Sequence, residues 1–328
     1  MASTDTPAPV IESPKSGQSP KSATSPKSAR SPGETAAPLE ADTFDGDSVL
    51  GVTDEELSTA SLTSSLREFH MVHGRAYHKD ESGWPSNQSD RLDFQNHQLL
   101  LTFDGRKYFS PNAETAKRVL DVGTGTGIWA IDFADEHPHA EVRSLSECRL
   151  NGTHNLWVVG VDIAPIQPGL GRVPPNLRFE VDDVEKPWTW TQQFDYIFVR
   201  MLVGSLASWE PFFKQAYDTL EPGGWIELQD PGTPSVSDDG TLKDRSPLWQ
   251  HDRRFIQSAK NLGRPIHLAA DHDERLKDAG FINVERKVLK WPINTWPKNP
   301  KHKEVGLWTL ANIEGNLETI SMALMTAA

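Results

Sequence analysis

Short apolar runs alternate with amphipathic segments over the central and C-terminal parts of the chain. Each run is short enough to be one buried strand, and the amphipathic segments repeat apolar residues at three- and four-residue intervals, as helices do. This alternation predicts βαβ units, that is, a parallel sheet with helices on both faces. The predicted strands cover 119–122, 156–163, 177–181, 194–199, 225–229 and 282–289; the predicted helices cover 90–100, 128–136, 209–220, a segment ending near 281, and 310–324.

The first 60 residues have a different pattern, because they contain few apolar residues and repeat the dipeptide Ser-Pro. The repeats begin at Ser13, Ser19, Ser25 and Ser31. Such a segment buries too little apolar surface to offset chain entropy, so residues 1–60 are predicted to be a disordered tail. Alternatively, the Ser-Pro pairs are phosphorylation sites that regulate a partner or entry into the nucleus.

Residues 61–112 precede the sheet and are predicted to form a helical cap, which would fold over a ligand pocket as a lid. The sheet and its helices are predicted to occupy 113–328. Four side chains share one side of the helix at 90–100: Leu92, Gln95, Asn96 and Leu99.

The first strand leads directly into a glycine-rich turn. Asp121 lies near the end of this strand, and Gly123, Gly125 and Gly127 follow at alternate positions. Glycine lacks a Cβ, so the backbone can turn sharply and approach a ligand closely. A dinucleotide-binding turn has the spacing G-x-G-x-x-G, whereas this chain has D-x-G-x-G-x-G. A turn between strand and helix that binds no ligand is the alternative.

Charged residues stand at the ends of the next three strands, where open α/β sheets bind ligands. Asp162 ends the second strand, where an acid can bind ribose hydroxyls, and Asp183 follows the third strand, where a carboxylate can accept a hydrogen bond from an adenine amino group. Arg200 follows the fourth strand, and either a salt bridge or a contact to a cofactor or substrate explains it.

Asp162 follows the glycine turn at about twice the usual separation of ~20 residues. The excess lies in residues 143–159, since removing them would join residues 141–142 to Gly160 as one ordinary strand. This insertion is either a surface loop before the strand or an artefact of the gene model. We expect the second strand to form in spite of it.

Composition narrows the function further. The formal net charge of −13 argues against binding to nucleic acid, whose protein partners usually carry a basic patch. No apolar run reaches the ~18 residues of a membrane span and no signal peptide opens the chain, so no membrane contact is expected. The lone cysteine, Cys148, fits the cytoplasm or the nucleus. No metal site is predicted, because four histidines lack compact carboxylate or cysteine partners: His70, His73, His78 and His97.

Five segments together resemble the fungal LaeA-like methyltransferases: 74–78, 90–93, 119–130, 160–168 and 224–230. The D-x-G-x-G-x-G turn by itself resembles motif I of class I S-adenosylmethionine (SAM) methyltransferases. The resemblance extends from about residue 61 to about residue 325. It implies a Rossmann-like class I methyltransferase sheet with an N-terminal helical lid, and SAM as the cofactor.

The cofactor-binding residues that the residue patterns and the resemblance together imply are Asp121, Gly123, Gly125, Gly127, Asp162, Asp183, Arg200 and Tyr77. The family continues past the end of this sequence into the final strands of the sheet. The strand at 225–229 is therefore expected to keep an unpaired edge.

The implied activity is SAM-dependent methyl transfer to a small molecule or a protein, linked to the regulation or biosynthesis of fungal secondary metabolites. The alternative is a non-catalytic, SAM-binding regulatory subunit of a nuclear complex with velvet-type proteins. Transfer from a sulfonium needs no obligatory base, so no catalytic residue is assigned, and His70 and His78 are only weak candidates.

Overall fold

The computed structural model describes residues 34–35, 37–42, 88–137, 157–168, 173–266 and 268–327. The strands are β1 (Glu34–Thr35), β2 (Arg118–Val122), β3 (Trp157–Asp162), β4 (Leu177–Val181), β5 (Phe194–Arg200), β6 (Leu220–Gln229) and β7 (Lys287–Val288). The helices are α1 (Gln88–Thr102), α2 (Ile128–Glu136), α3 (Trp209–Thr219), α4 (Pro247–Asn261), α5 (His272–Asp278) and α6 (Pro300–Ala327), with short 3-10 turns at Ala113–Thr115 and Leu268–Asp271.

Five strands form one parallel sheet in the order β4-β3-β2-β5-β6. The chain order reverses between β2 and β5, and open α/β sheets bind ligands at such a switch point. β6 lies at one edge, and among the described residues no strand pairs with its outer side. This is the free edge that the sequence predicts.

Successive side chains along each strand point to opposite faces of the sheet, so the core has two layers. Val119 and Tyr196 belong to the layer under α2, whereas Leu120 and Ile197 belong to the layer under α3 and α5. All four side chains are fully buried. Burial of one large apolar side chain contributes ~1.5–3 kcal/mol, so both layers stabilise the sheet and fix the ends of its strands.

A helical layer made of α1, α4 and α6 lies beside the sheet. The rings of Phe94 on α1 and Trp308 on α6 have centroids 4.5 Å apart, and the Gln98 amide donates a 2.6 Å hydrogen bond to Thr309. The packing of α1 on α6 holds α1 in place over the sheet.

No helix in the described part of the chain is long and apolar enough to cross a membrane.

The strand after the insertion forms as expected. β3 pairs in register with β2 and with β4, and Val158 and Val161 are fully buried. Residues 143–156 lie outside the described residues. The part of the insertion at 157–159 belongs to the strand itself, because its three consecutive apolar residues pack on both faces of the sheet.

The prediction of a sixth strand at 282–289 is wrong. Only β7 is extended there, and it pairs with β1 in a separate two-stranded sheet. Ile282 is 83% exposed and Leu289 is 40% exposed, so these apolar residues have no sheet face to cover.

The helix α4 was not predicted from the sequence. Its start is stabilised by a hydrogen bond from the Trp249 amide to the Ser246 hydroxyl.

Part of the tail that was predicted to be disordered lies on the folded domain. Residues 37–42 run antiparallel to the segment at 296–298: the Asp42 amide donates to the Trp296 carbonyl (2.8 Å) and the Lys298 amide donates to the Glu40 carbonyl (2.9 Å). Asp42 also forms an ion pair with Lys303. Acidic residues and free backbone groups thus hold a segment that has too few apolar side chains to fold alone.

We predict that Asp42→Lys lowers the melting temperature of the full chain by a few degrees, about 1 kcal/mol, because it places two cations side by side. The exchange Asp42→Lys with Lys303→Glu should recover most of this loss. Lys214→Glu, which breaks a more exposed ion pair with Asp218, is the control and should change little. Identical melting of wild type and Asp42→Lys in scanning fluorimetry would mean that the segment does not stay docked.

Candidate functional site

The glycine turn connects β2 to α2 and has a left-handed backbone at every second residue. The φ angles of Gly123, Gly125 and Gly127 are 70°, 58° and 79°, a region that other residues enter only with strain. At Gly127 space is also lacking, because an added Cβ would lie 2.3 Å from the Phe179 ring. The amides of Gly123 and Thr124 donate to the Val161 carbonyl, so the turn is tied to β3.

Asp121 lies beneath this turn and is 3% exposed. Burial raises the pKa of its carboxyl group to about 6, although a hydrogen bond from Thr124 and the charge of Arg200 each lower it. The Thr124 hydroxyl donates that bond at 2.6 Å. The site therefore holds a buried acid whose ionisation opposes stability, and such groups are common where a ligand supplies the missing partner.

Asp162 stands at the end of β3 and touches the turn directly. One carboxylate oxygen accepts a hydrogen bond from the Gly125 amide (2.9 Å) and the other accepts one from the Ala164 amide (2.9 Å). The Gln167 amide group donates to the Gly125 carbonyl at 2.6 Å. The structure thus brings together Asp121, the three glycines and Asp162, as the sequence predicts.

Asp183 lies two residues beyond β4, next to the end of β3. Its carboxylate accepts a hydrogen bond from the Glu185 amide (3.0 Å) and is 3.5 Å from the Lys186 ammonium group. It does not line the cavity beside the glycine turn. Its role toward an adenine stays a prediction, and so does that of Tyr77, which lies outside the described residues together with His70, His73 and His78.

Sequence reasoning missed two exposed apolar side chains at this edge of the sheet. Ile163 is 73% exposed and Val181 is 62% exposed, and they follow or end the neighbouring strands β3 and β4. The signal for them in the sequence was their position close to acidic residues that are predicted to bind a ligand. They offer a flat apolar surface beside Asp162.

A cavity of about 50 Å³ lies between α1 and the glycine turn. This is far below the ~300–1,000 Å³ of a complete ligand pocket, so it has room for one end of a ligand. Its walls combine the predicted inner face of α1 with the turn and the end of β5: Leu92, Gln95, Asn96, Leu99, Gly123, Thr124, Gly125, Thr126, Ile128, Arg200 and Met201. Thr126 also donates a hydrogen bond to Asp93 on α1.

Arg200 places a partly buried cation at the wall of this cavity. Its guanidinium lies 5.8 Å from the centroid of the Phe198 ring. Burial lowers the pKa of Arg200, whereas the charges of Asp121, Asp132 and Asp93 raise it through space. Among the described residues these carboxylates attract the guanidinium without a hydrogen bond to it, so its donors remain available to an anionic ligand group.

His97 is not one of the residues that line this cavity; its ring packs on Trp308, with centroids 4.4 Å apart. Among the described residues there is no group of three or more side chains that would hold a metal ion.

A five-stranded parallel sheet with this turn after its first strand and acids at the next strand ends is the architecture of class I SAM-dependent methyltransferases. The comparisons agree: residues 94–285 match the family model described as "Methyltransferase domain". The chain is 34% identical to methyltransferase pytC of Aspergillus terreus, over 83% of this chain and 81% of that protein. It is 35% identical to the secondary metabolism regulator LAE1 of Cochliobolus heterostrophus, over 78% of this chain and 81% of that protein.

The chain belongs to the LaeA-like family of methyltransferases, and SAM is its cofactor. Among solved structures it is similar to phosphoethanolamine N-methyltransferase 2 of Haemonchus contortus in complex with SAM, at 21% identity and a TM-score of 0.41 over 72% of this chain and 52% of that one. That similarity is too distant to assign individual residues.

Proposed function

We propose that the glycine turn, Asp121, Asp162 and Arg200 bind SAM for transfer of its methyl group to an acceptor. The observation that carries this proposal is the partly buried Arg200 cation, which lines one cavity together with Gly123 and Gly125 of the turn. The carboxylate of the methionine moiety is the ligand group that fits this cation. The charge of Asp121 acts on Arg200 through space and would likewise attract the ammonium group of that moiety.

SAM supplies a methyl group that its sulfonium already activates, so the chain has to orient the acceptor and exclude water. α1 closes the cavity from above with Leu92 and Leu99, and Gln95 and Asn96 place amide groups between them. Asp162, Ile163 and Val181 would accommodate the nucleoside half, since they lie at the neighbouring ends of β3 and β4. No step in this scheme requires a buried general base.

We predict that Arg200→Gln weakens SAM binding at least about tenfold, because a hydrogen bond between charged groups contributes ~1.5–3 kcal/mol. The same variant should bind decarboxylated SAM with unchanged affinity, since that analogue lacks the group that Arg200 contacts. Calorimetry with both ligands tests this. Arg178→Gln, which removes a strand arginine paired with Glu180, is the matched control; equal losses for both ligands would place the carboxylate elsewhere.

The link to secondary metabolism and the acceptor are part of the proposal. Similarity to pytC, named as a methyltransferase, supports methyl transfer, for which we propose a small molecule or a protein as the acceptor. Similarity to LAE1, named as a secondary metabolism regulator, supports the alternative of a SAM-binding regulatory subunit, for which we propose velvet-type partners in the nucleus. A labelled-SAM assay combined with a pull-down separates the two. A labelled product without stable partners supports the enzyme, which can work in the cytoplasm; a stoichiometric complex without labelled product supports the regulator.

A further inference from the structure

A second buried acid lies directly after β6, outside the residues assigned above. The side chain of Asp230 is 2% exposed. One of its oxygens accepts hydrogen bonds from the amides of Leu202 (2.8 Å) and Val203 (3.1 Å). The other oxygen lies 3.8 Å from Nε2 of His272, the first residue of α5. Asp230 thus joins the end of β6 to the turn after β5.

The turn that Asp230 holds forms one wall of the cofactor cavity. Met201 has a φ of 55°, a strained value for a residue with a side chain, and it lines the cavity. The Leu202 side chain fills the space over Gly123: an added Cβ there would lie 2.8 Å from Leu202 Cδ1. A strained turn keeps its shape only where its surroundings fix it, and Asp230 provides two of the fixing bonds.

The surroundings of Asp230 are poorly suited to a purely stabilising role. Within the described residues, four buried polar atoms of this cluster have no hydrogen-bond partner: the outer oxygen of Asp230, both ring nitrogens of His272, and the indole nitrogen of Trp209. The His272 ring packs on Trp209 with centroids 4.2 Å apart. Since buried polar atoms are normally satisfied, an apolar cluster would be more stable here.

We propose that Asp230, backed by His272, is a positioning residue for the cofactor: its carboxylate holds the turn at 201–203 against Gly123, and it does so firmly only when ionised. This inference rests on the proposed binding of SAM at the glycine turn. A carboxylate accepts amide hydrogen bonds about twice as strongly as a neutral acceptor. Protonation of Asp230 therefore loosens Met201 and Leu202 and weakens the cavity wall.

The electrostatic surroundings agree with this role. Burial raises the pKa of Asp230 to about 6, against the two amide hydrogen bonds that lower it. Burial and the charge of Arg275 lower the pKa of His272 to about 4, while Asp271 and Asp273 raise it. The turn after β5 faces Asp230 with backbone amides, and α3 contributes the Trp209 and Phe213 rings and Glu210, which pairs with Arg275. At neutral pH an ionised Asp230 thus faces a neutral His272.

The test compares Asp230→Asn with Asp195→Asn in the full chain. Asp195 also accepts two backbone amides, those of Lys117 and Arg118, but at the opposite end of the same sheet. Calorimetry should show SAM binding several-fold weaker in Asp230→Asn than in wild type at about pH 8, with the ratio falling to one near pH 5. Asp195→Asn should lower the melting temperature without changing SAM affinity at any pH. An Asp230→Asn affinity equal to wild type throughout overturns the proposal.

Hydrogen exchange of the ligand-free chain gives a readout that does not depend on SAM. The amides of Leu202 and Val203 should exchange at least several-fold faster in Asp230→Asn, and faster in wild type at about pH 5 than the pH dependence of intrinsic exchange predicts. Unchanged protection of both amides refutes the positioning role even if SAM binds elsewhere. Failure of wild type to bind SAM, with loosened amides in the variant, instead refutes the proposed cofactor site alone.

Discussion

Gly125→Arg is expected to abolish SAM binding, with the affinity lowered at least about 100-fold, roughly 3 kcal/mol or more. Gly125 has a φ of 58°, and an added Cβ would already lie 3.3 Å from Leu92 on α1. The rest of an arginine side chain would therefore fill the cavity between the turn and α1. It would also disturb the hydrogen bond from the Gly125 amide to Asp162.

Gly240→Arg is the matched control, because Gly240 has a φ of 71° and nothing lies within 4 Å of an added Cβ. It carries the same backbone strain, about 1–2 kcal/mol for a left-handed residue, without filling the cavity. Calorimetry and a labelled-SAM assay on both variants measure the difference. Retention of wild-type affinity by Gly125→Arg would show that SAM does not sit on this turn.

Asp121→Asn is expected to stabilise the protein at neutral and higher pH while it weakens SAM binding. The folded chain holds the proton of Asp121 more tightly than the unfolded chain, since the pKa of this carboxyl is raised to about 6. Stability contributed by this group is therefore present at low pH and lost as the pH rises from about 4 to about 6. With ~1.4 kcal/mol per pKa unit, ionisation costs up to about 3 kcal/mol above this range.

The variant should thus exceed wild type in unfolding free energy by up to about 3 kcal/mol at about pH 8, and the difference should vanish near pH 4. Denaturant unfolding at several pH values measures this. His272 acts in the opposite direction, because its lowered pKa makes wild type less stable below neutral pH, but it is common to both proteins and cancels in the comparison. A difference that is constant with pH would show that Asp121 is not the group that titrates. If the substitution stabilises the protein and weakens SAM binding, Asp121 serves function at a cost in stability.

The sequence by itself determined the features that depend on residues close together along the chain. The limits predicted for α2 agree with the structure, because an apolar helical repeat follows a turn whose alternate glycines can adopt positive φ. β2 to β5 lie where apolar runs predict them, since each run covers both faces of a parallel strand, and β6 ends at the predicted residue but begins at Leu220 and not at residue 225. Asp121, Gly125 and Asp162 meet because topology brings the ends of β2 and β3 to one edge of the sheet.

Only the tertiary structure decided which distant residues touch. Nothing local to Asp230 or His272 predicts their contact, because the packing of α5 on α3 brings these two distant residues together. The apolar residues at 282–289 resemble a strand, but no sheet face remains for them, so Ile282 stays exposed. The segment at 37–42 is too short to form a core of its own and yet lies on the domain, since it pairs with backbone groups and a lysine far away in the sequence. The periodicity of apolar residues in the sequence indicates which side chains tend to be buried. Where these three segments lie depends instead on which contact partners remain unoccupied in the complete fold.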